Sequence, residues 1–141
     1  MPAKRHIYYG ENHNFDDSLI ATMKMINFLA NGNETLEDIR KTFPKTYLTK
    51  KIKIKIPDYI VKYTVPDKIA ERMKVEGRKV MQIDGARVYT NKTDWWLIRS
   101  SNTEPAMTAR AEAMSPEGLE LCKKELKEQL NIEGFNINFD I

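Results

Sequence analysis

Four strand-like segments follow one another between residues 79 and 113, and the gaps between them are too short for a crossover. Residues 79–83, 86–89, 95–98 and 106–113 are rich in β-branched and aromatic side chains or alternate in polarity. Between them lie Asp84-Gly85, Asn91-Lys92-Thr93-Asp94 and the segment Arg99 to Pro105. Asp-Gly is a strong hairpin signal, and the other two are dense in turn residues. Parallel neighbours need a connection of about a dozen residues or more. These segments therefore pair antiparallel.

The flanking sequence supplies helices and one further strand. Lys51-Ile52-Lys53-Ile54-Lys55-Ile56 alternates strictly and predicts a strand with isoleucine on one face and lysine on the other. Residues 66–76 predict a helix, with Pro66 in its first turn and Gly77 just past its end. Ser115 and Pro116 open a last helix running to about residue 130. The tail 135–139 alternates and suits a final strand or a frayed end. From residue 48 onward the order is β, α, four β segments, α. That order implies an α+β domain, an antiparallel sheet with helices on one face, of about 95 residues with its own core.

Residues 1–46 read differently from residues 47–141. His6-Ile7-Tyr8-Tyr9 suggests a short strand. Asp16-Asp17-Ser18 supplies caps for a helix whose apolar face is Leu19, Ile20, Met23, Ile26 and Leu29, stopped by Asn31-Gly32. Thr35 and Asp38 form a capping box for a second helix that ends before Pro44. One strand and two helices cannot close a core alone, so this apolar face must pack on residues 47–141, on another chain or on a separately made partner.

Composition narrows the class of function. The chain has 141 residues, 41% hydrophobic and 30% charged, with a net charge of +3. This is an ordinary soluble balance that suits an anionic ligand and gives no reason to expect nucleic acid. No apolar run approaches the roughly 18 residues of a membrane span, and a cytoplasmic setting is expected. The single cysteine, Cys122, shares a helical face with Leu119 and Leu126 and reads as a buried structural thiol. His6 and His13 have no carboxylate cluster with them, so no metal site is expected.

Arg99-Ser100-Ser101-Asn102-Thr103-Glu104-Pro105 is the segment most suited to chemistry. Arg99 carries a planar fork of donors, Ser101, Asn102 and Thr103 add short polar groups, and a tight turn can form a nest of N–H groups around an anion. Taken alone, these could equally be a surface ion-pair partner and ordinary turn residues. The lysine stripe at 51–55 has two readings as well: an anion-binding row, or the favoured one, a solvated face that discourages edge pairing. Trp95 and Trp96 are adjacent in a strand and must face opposite ways, one to the core.

The ordered series Asp84-Gly85-Ala86-Arg87-Val88, then Asp94 to Pro105, then Ala109-Arg110-Ala111-Glu112-Ala113 resembles the C-terminal domain of the α-D-phosphohexomutases, the phosphomannomutase/phosphoglucomutase enzymes. Upstream, Phe15-Asp16-Asp17-Ser18-Leu19-Ile20-Ala21 is similar to a helix start that closes the third of that family's four domains. The resemblance implies a fold like the phosphoglucomutase C-terminal domain, TATA-box-binding-protein-like, over 47–141, with 1–46 as the end of the third domain. It implies that Arg99, Ser101, Asn102 and Thr103 clamp the phosphate that is not being transferred, supported by Arg110, while Glu104 orients the loop or an arginine. Ser100 stands where proline or alanine is usual in the family. The family's phosphoserine loop and magnesium-binding segment have no counterpart here, so no catalytic residue and no metal ligand is expected in this chain. His6 falls near the position of a sugar-site histidine, but Met1 to Arg5 do not match what should precede it. The implied partners are a hexose phosphate and the missing domains, or a separately encoded partner carrying them. Self-association through residues 7–45 is an alternative, as is a stand-alone, non-catalytic phosphosugar-binding or assembly module.

Overall fold

A computed structural model of the chain describes residues 7–56 and 61–139. It divides into two compact units, Met1–Pro44 and Lys45–Ile141.

The first unit is two capped helices with little beneath them. The Asp17 carboxylate accepts from the N–H groups of Leu19 and Ile20 and starts α1 (Ser18–Asn31). Thr35 and Asp38 form the expected capping box of α2 (Leu36–Thr42), each side chain meeting the other's backbone. The expected strand at 6–9 is not formed among the described residues. Tyr8 makes a single bridge to Asp16 around a 3₁₀ turn (Gly10–Asn12), and no neighbouring strand extends it into a ladder. No residue of α1 or α2 is buried, and Leu19 keeps 71% of its surface exposed.

The second unit is an antiparallel sheet backed by helices. Its strands are β1 (Tyr47–Leu48), β2 (Ile52–Lys55), β3 (Val80–Met81), β4 (Ala86–Tyr89), β5 (Trp95–Ser100) and β6 (Ala106–Ala113). They run in the order β1-β6-β5-β4-β3, and β2 also pairs with β6. β1 and β2 are successive segments along one edge. Between them Thr49 replaces a ladder bond with its side chain: its N–H donates to the Ala111 carbonyl and its hydroxyl accepts from the Ala111 N–H, both at 3.0 Å. β1 had no sequence signature, since two residues carry no period.

Strand alternation sorts the side chains. Ala86, Val88, Trp96, Ile98, Met107, Ala109 and Ala111 are buried with Ile54 in one core, together with Ile69 and Met73 of α3 (Val61–Val75) and Cys122, Leu126 and Leu130 of α4 (Pro116–Ile132). Each large side chain withdrawn there contributes roughly 1.5–3 kcal/mol. Trp96 is the tryptophan that enters the core. Its indole N–H donates to Glu125 of α4, which also accepts from the Thr90 hydroxyl and pairs with Arg78. The Cys122 thiol is buried beside the Thr90 hydroxyl, and burial pushes its pKa up, as a structural thiol requires.

Two element expectations are corrected. α3 is already under way at Val61, so Pro66 lies inside it rather than in its first turn. Pro66 forfeits one backbone hydrogen bond, and its ring is among the fully buried side chains of the core. The helix ends as expected at Gly77, at φ +75°, with Arg78 N–H on Met73 and Gly77 N–H on Lys74. The tail 135–139 forms no strand among its described residues, nor does it fray. Ile137 is buried, and Phe135 and Phe139 pack against the core.

Candidate anion site on the open sheet face

The face of the sheet turned away from α3 and α4 carries the charged residues. Antiparallel partners share a face. One row across the sheet therefore reads Lys53, Thr108, Arg99, and the next Arg110, Leu97, Arg87, Met81. Arg99 and Arg110 are diagonal neighbours on β5 and β6, a separation of about 7–8 Å between backbones. The five-residue loop 101–105 joins these strands directly beyond Arg99. It is closed by Ser101 N–H on the Ala106 carbonyl and Ala106 N–H on the Glu104 carbonyl, both 2.8 Å.

Each predicted clamp residue has a definite place. Asn102 and Thr103 are exposed at the loop tip. Their N–H groups take no part in backbone hydrogen bonding among the described residues, which leaves them available to an anion. Ser101 is partly buried at the loop base. Arg99 is half exposed, and its Nη1 donates to Asp84 Oδ2 at 2.8 Å. Arg110 is partly buried. Its Nε is enclosed without a hydrogen-bond partner, and no ion pair of its guanidinium is found among the described residues. His6 lies outside the described residues.

Glu104 pairs with Lys53 of β2, so it ties the loop to the sheet. The hydrogen bond from Lys53, then its charge, then that of Lys51, hold the Glu104 carboxyl below its ordinary range. The lysine stripe thus supplies one loop anchor, while Lys51 and Lys55 point to solvent.

Three neighbours of the site were not singled out as site residues by sequence. Asp84 and Arg87 lie within the Asp-Gly-Ala-Arg-Val series, but their proximity to Arg99 and Arg110 depends on the β4–β5–β6 register. Arg87 stacks 3.9 Å from the centre of the Trp95 ring, with its own Nε enclosed and unbonded. Lys53, read only as part of a stripe, is the third. The described residues bring no three His, Cys, Asp or Glu side chains together for a metal ion.

Residues 52–129 match the sequence model of the family described as phosphoglucomutase/phosphomannomutase, C-terminal domain. The chain belongs to that family. A phosphomannomutase/phosphoglucomutase of Pseudomonas syringae pv. tomato is 32% identical over 116 residues, 82% of this chain and 24% of the relative. A phosphomannomutase of Methanocaldococcus jannaschii is 29% identical over 122 residues, 86% of this chain and 26% of the relative. The chain thus spans about a quarter of the length of the curated relatives it matches. The fold also matches the crystal structure of a phosphoglucomutase/phosphomannomutase family protein from Burkholderia thailandensis. The TM-score is 0.75 at 24% identity, over 96% of this chain and 28% of that one. No helix among the described residues is long and apolar enough to cross a membrane.

Proposed function

We propose that this chain is the phosphate-clamping C-terminal portion of a phosphohexomutase and is not catalytic by itself. The observation that supports this best is the open sheet face. Arg99 and Arg110 stand on adjacent rows of that face, the Arg110 Nε has no hydrogen-bond partner among the described residues, and the neighbouring loop, anchored by Glu104, offers the Asn102 and Thr103 N–H groups. A phosphate dianion there would accept charge-assisted hydrogen bonds from both arginines and from the loop. Holding one phosphate fixes the rest of a hexose phosphate, so that binding energy far from the reaction orients the hydroxyl to be phosphorylated. The nucleophile and the magnesium site would then belong to the rest of the enzyme, in the same setting, expected to be the cytoplasm. His6 as a sugar-facing residue is part of the same proposal.

Residues 1–46 are proposed to be the end of the preceding domain. Matches of 116 and 122 residues are longer than the second unit and must reach into the first. A second reading, an assembly module, is favoured by a groove of about 760 Å³ in the first unit, lined by Met25, Phe28, Leu36, Ile39 and Phe43. An apolar surface of that kind invites the missing domains, a partner that carries them or a second copy. Light scattering separates these: a concentration-dependent rise in mass favours the second copy, and a strict monomer removes it.

The clamp is tested by phosphorus NMR titration with mannose 6-phosphate and glucose 1-phosphate. Wild-type chain should bind weakly, and Arg99→Ala should lose about ten- to a hundredfold in affinity, the worth of hydrogen bonds to a charged group. Unchanged binding by that variant would remove Arg99 from the site. Turnover by the purified chain in a mutase assay would overturn the non-catalytic assignment.

A further inference from the structure

We infer that Asp84 is a positioning residue for the anion site: it holds one amino group of Arg99 so that the remaining edge of the guanidinium is aimed at the anion. The inference rests on the phosphate reading above and adds to it a group of opposite charge that no phosphate would choose as a neighbour.

Arg99 sits near the end of β5, and its side chain is half exposed. A long cation there loses rotamer freedom when it is immobilised on an anion, which weakens binding unless the side chain is already held. Asp84 holds it through a single bond, Nη1 to Oδ2 at 2.8 Å. A guanidinium has five N–H groups in one plane, so four remain. The carboxylate is itself on a fixed platform. It lies in the β3–β4 turn next to Gly85, which adopts φ +119°. A Cβ on Gly85 would lie 2.4 Å from the Ile98 carbonyl oxygen, 2.6 Å from Arg99 Cβ and 2.7 Å from Arg99 Cα. The turn is therefore pressed onto the backbone of Arg99 itself, and Asp84 reaches the guanidinium from a base with little play.

Two effects of Asp84 on an anion have opposite signs. Its charge repels the anion, and its hydrogen bond preorganises the arginine. Substitution separates them. Asp84→Asn removes the charge and keeps an acceptor oxygen of the same shape, whereas Asp84→Ala removes both. Positioning predicts that Asp84→Ala binds inorganic phosphate about three- to tenfold more weakly than Asp84→Asn, the range expected for immobilising one long side chain. If charge alone matters, the two variants bind equally well and both more tightly than wild type, and the inference fails.

The experiment is a phosphate titration of the full 141-residue chain and both variants, read together with nitrogen-15 relaxation of the Arg99 Nε–H without phosphate. Arg99 Nε–H should be ordered in wild type and in Asp84→Asn, and mobile in Asp84→Ala. Equal mobility in all three overturns the inference whether or not phosphate binds. An ordered Arg99 in a wild-type chain that binds no phosphate would sink the clamp reading instead, so the two failures are distinguishable.

Discussion

Asp94 is an acidic side chain at a junction where a single residue joins the turn before β5 to the end of β6. It is buried, 5% exposed. Oδ1 accepts from the Met114 N–H at 2.9 Å and the Thr93 hydroxyl at 3.0 Å, and Oδ2 accepts from the Asn91 amide at 2.7 Å. Burial works against its charge and is the largest single influence. The three hydrogen bonds, taken together, outweigh it and hold the carboxyl below its ordinary value. A depressed folded-state pKa stabilises the fold above the unfolded value, and that stability is lost as pH falls through the folded one. Asp94→Asn presents an amide nitrogen to groups that donate, and should cost about 1–3 kcal/mol at neutral pH. Urea unfolding checks both parts. The gap between wild type and Asp94→Asn should be full at pH 7, begin to narrow near the ordinary carboxyl range at about pH 4, and close as pH falls through the lower folded value. A gap independent of pH would show that shape and not charge is what the site requires.

At the scale of elements, the β3–β4 turn carries both the fold and the site. Gly85→Ala would place a Cβ against the Ile98 carbonyl in a backbone conformation that side chains rarely adopt. The strain should be about 1–3 kcal/mol, and the thermal midpoint should fall by roughly 4–8 °C for each kcal/mol. The same variant should bind phosphate more weakly, because the turn can yield only by carrying Asp84 away from Arg99. A circular-dichroism melt unchanged within a degree or so would mean that the turn is looser than its contacts indicate. That turn was legible in the sequence because Asp-Gly states its geometry locally. So were β6 and α4, where alternation, or a Ser-Pro start, repeats over many residues. β1 was not legible, because Tyr47-Leu48 has no period and owes its strand to the register against Ala113 and Glu112. Pro66 was misplaced because a local rule puts proline in a first turn, whereas burial of its ring lets it stand inside α3. The candidate site divides in the same way. Arg99, Ser101, Asn102 and Thr103 are neighbours in sequence and were read together. Arg87 and Lys53 reach the site from other strands and Asp84 from the β3–β4 turn, through pairings that no local pattern encodes.

The whole molecule is uneven. Among the described residues, the buried hydrophobic core runs from Ile54 to Ile137, so the second unit holds what makes a domain stable. The first unit has well-capped helices but no buried helical residue. Caps set where a helix starts, and each contributes on the order of 1 kcal/mol. They do not replace the burial that stabilises most helices in proteins. Two consequences follow for a chain that spans about a quarter of its relatives. Amides of α1 should exchange with deuterium far faster than those of β5 and β6, because local opening there exposes almost nothing that is not already exposed. A chain cut to residues 45–141 should fold cooperatively, melt within a few degrees of the full chain and bind phosphate with unchanged affinity, since each interaction of the site described above lies inside that segment. Hydrogen exchange on the full chain and a parallel melt and phosphate titration of the shortened one provide the test. Loss of folding or of phosphate binding in the shortened chain, or protection of α1 equal to that of the sheet, would mean that residues 1–44 contribute to the domain rather than await a partner.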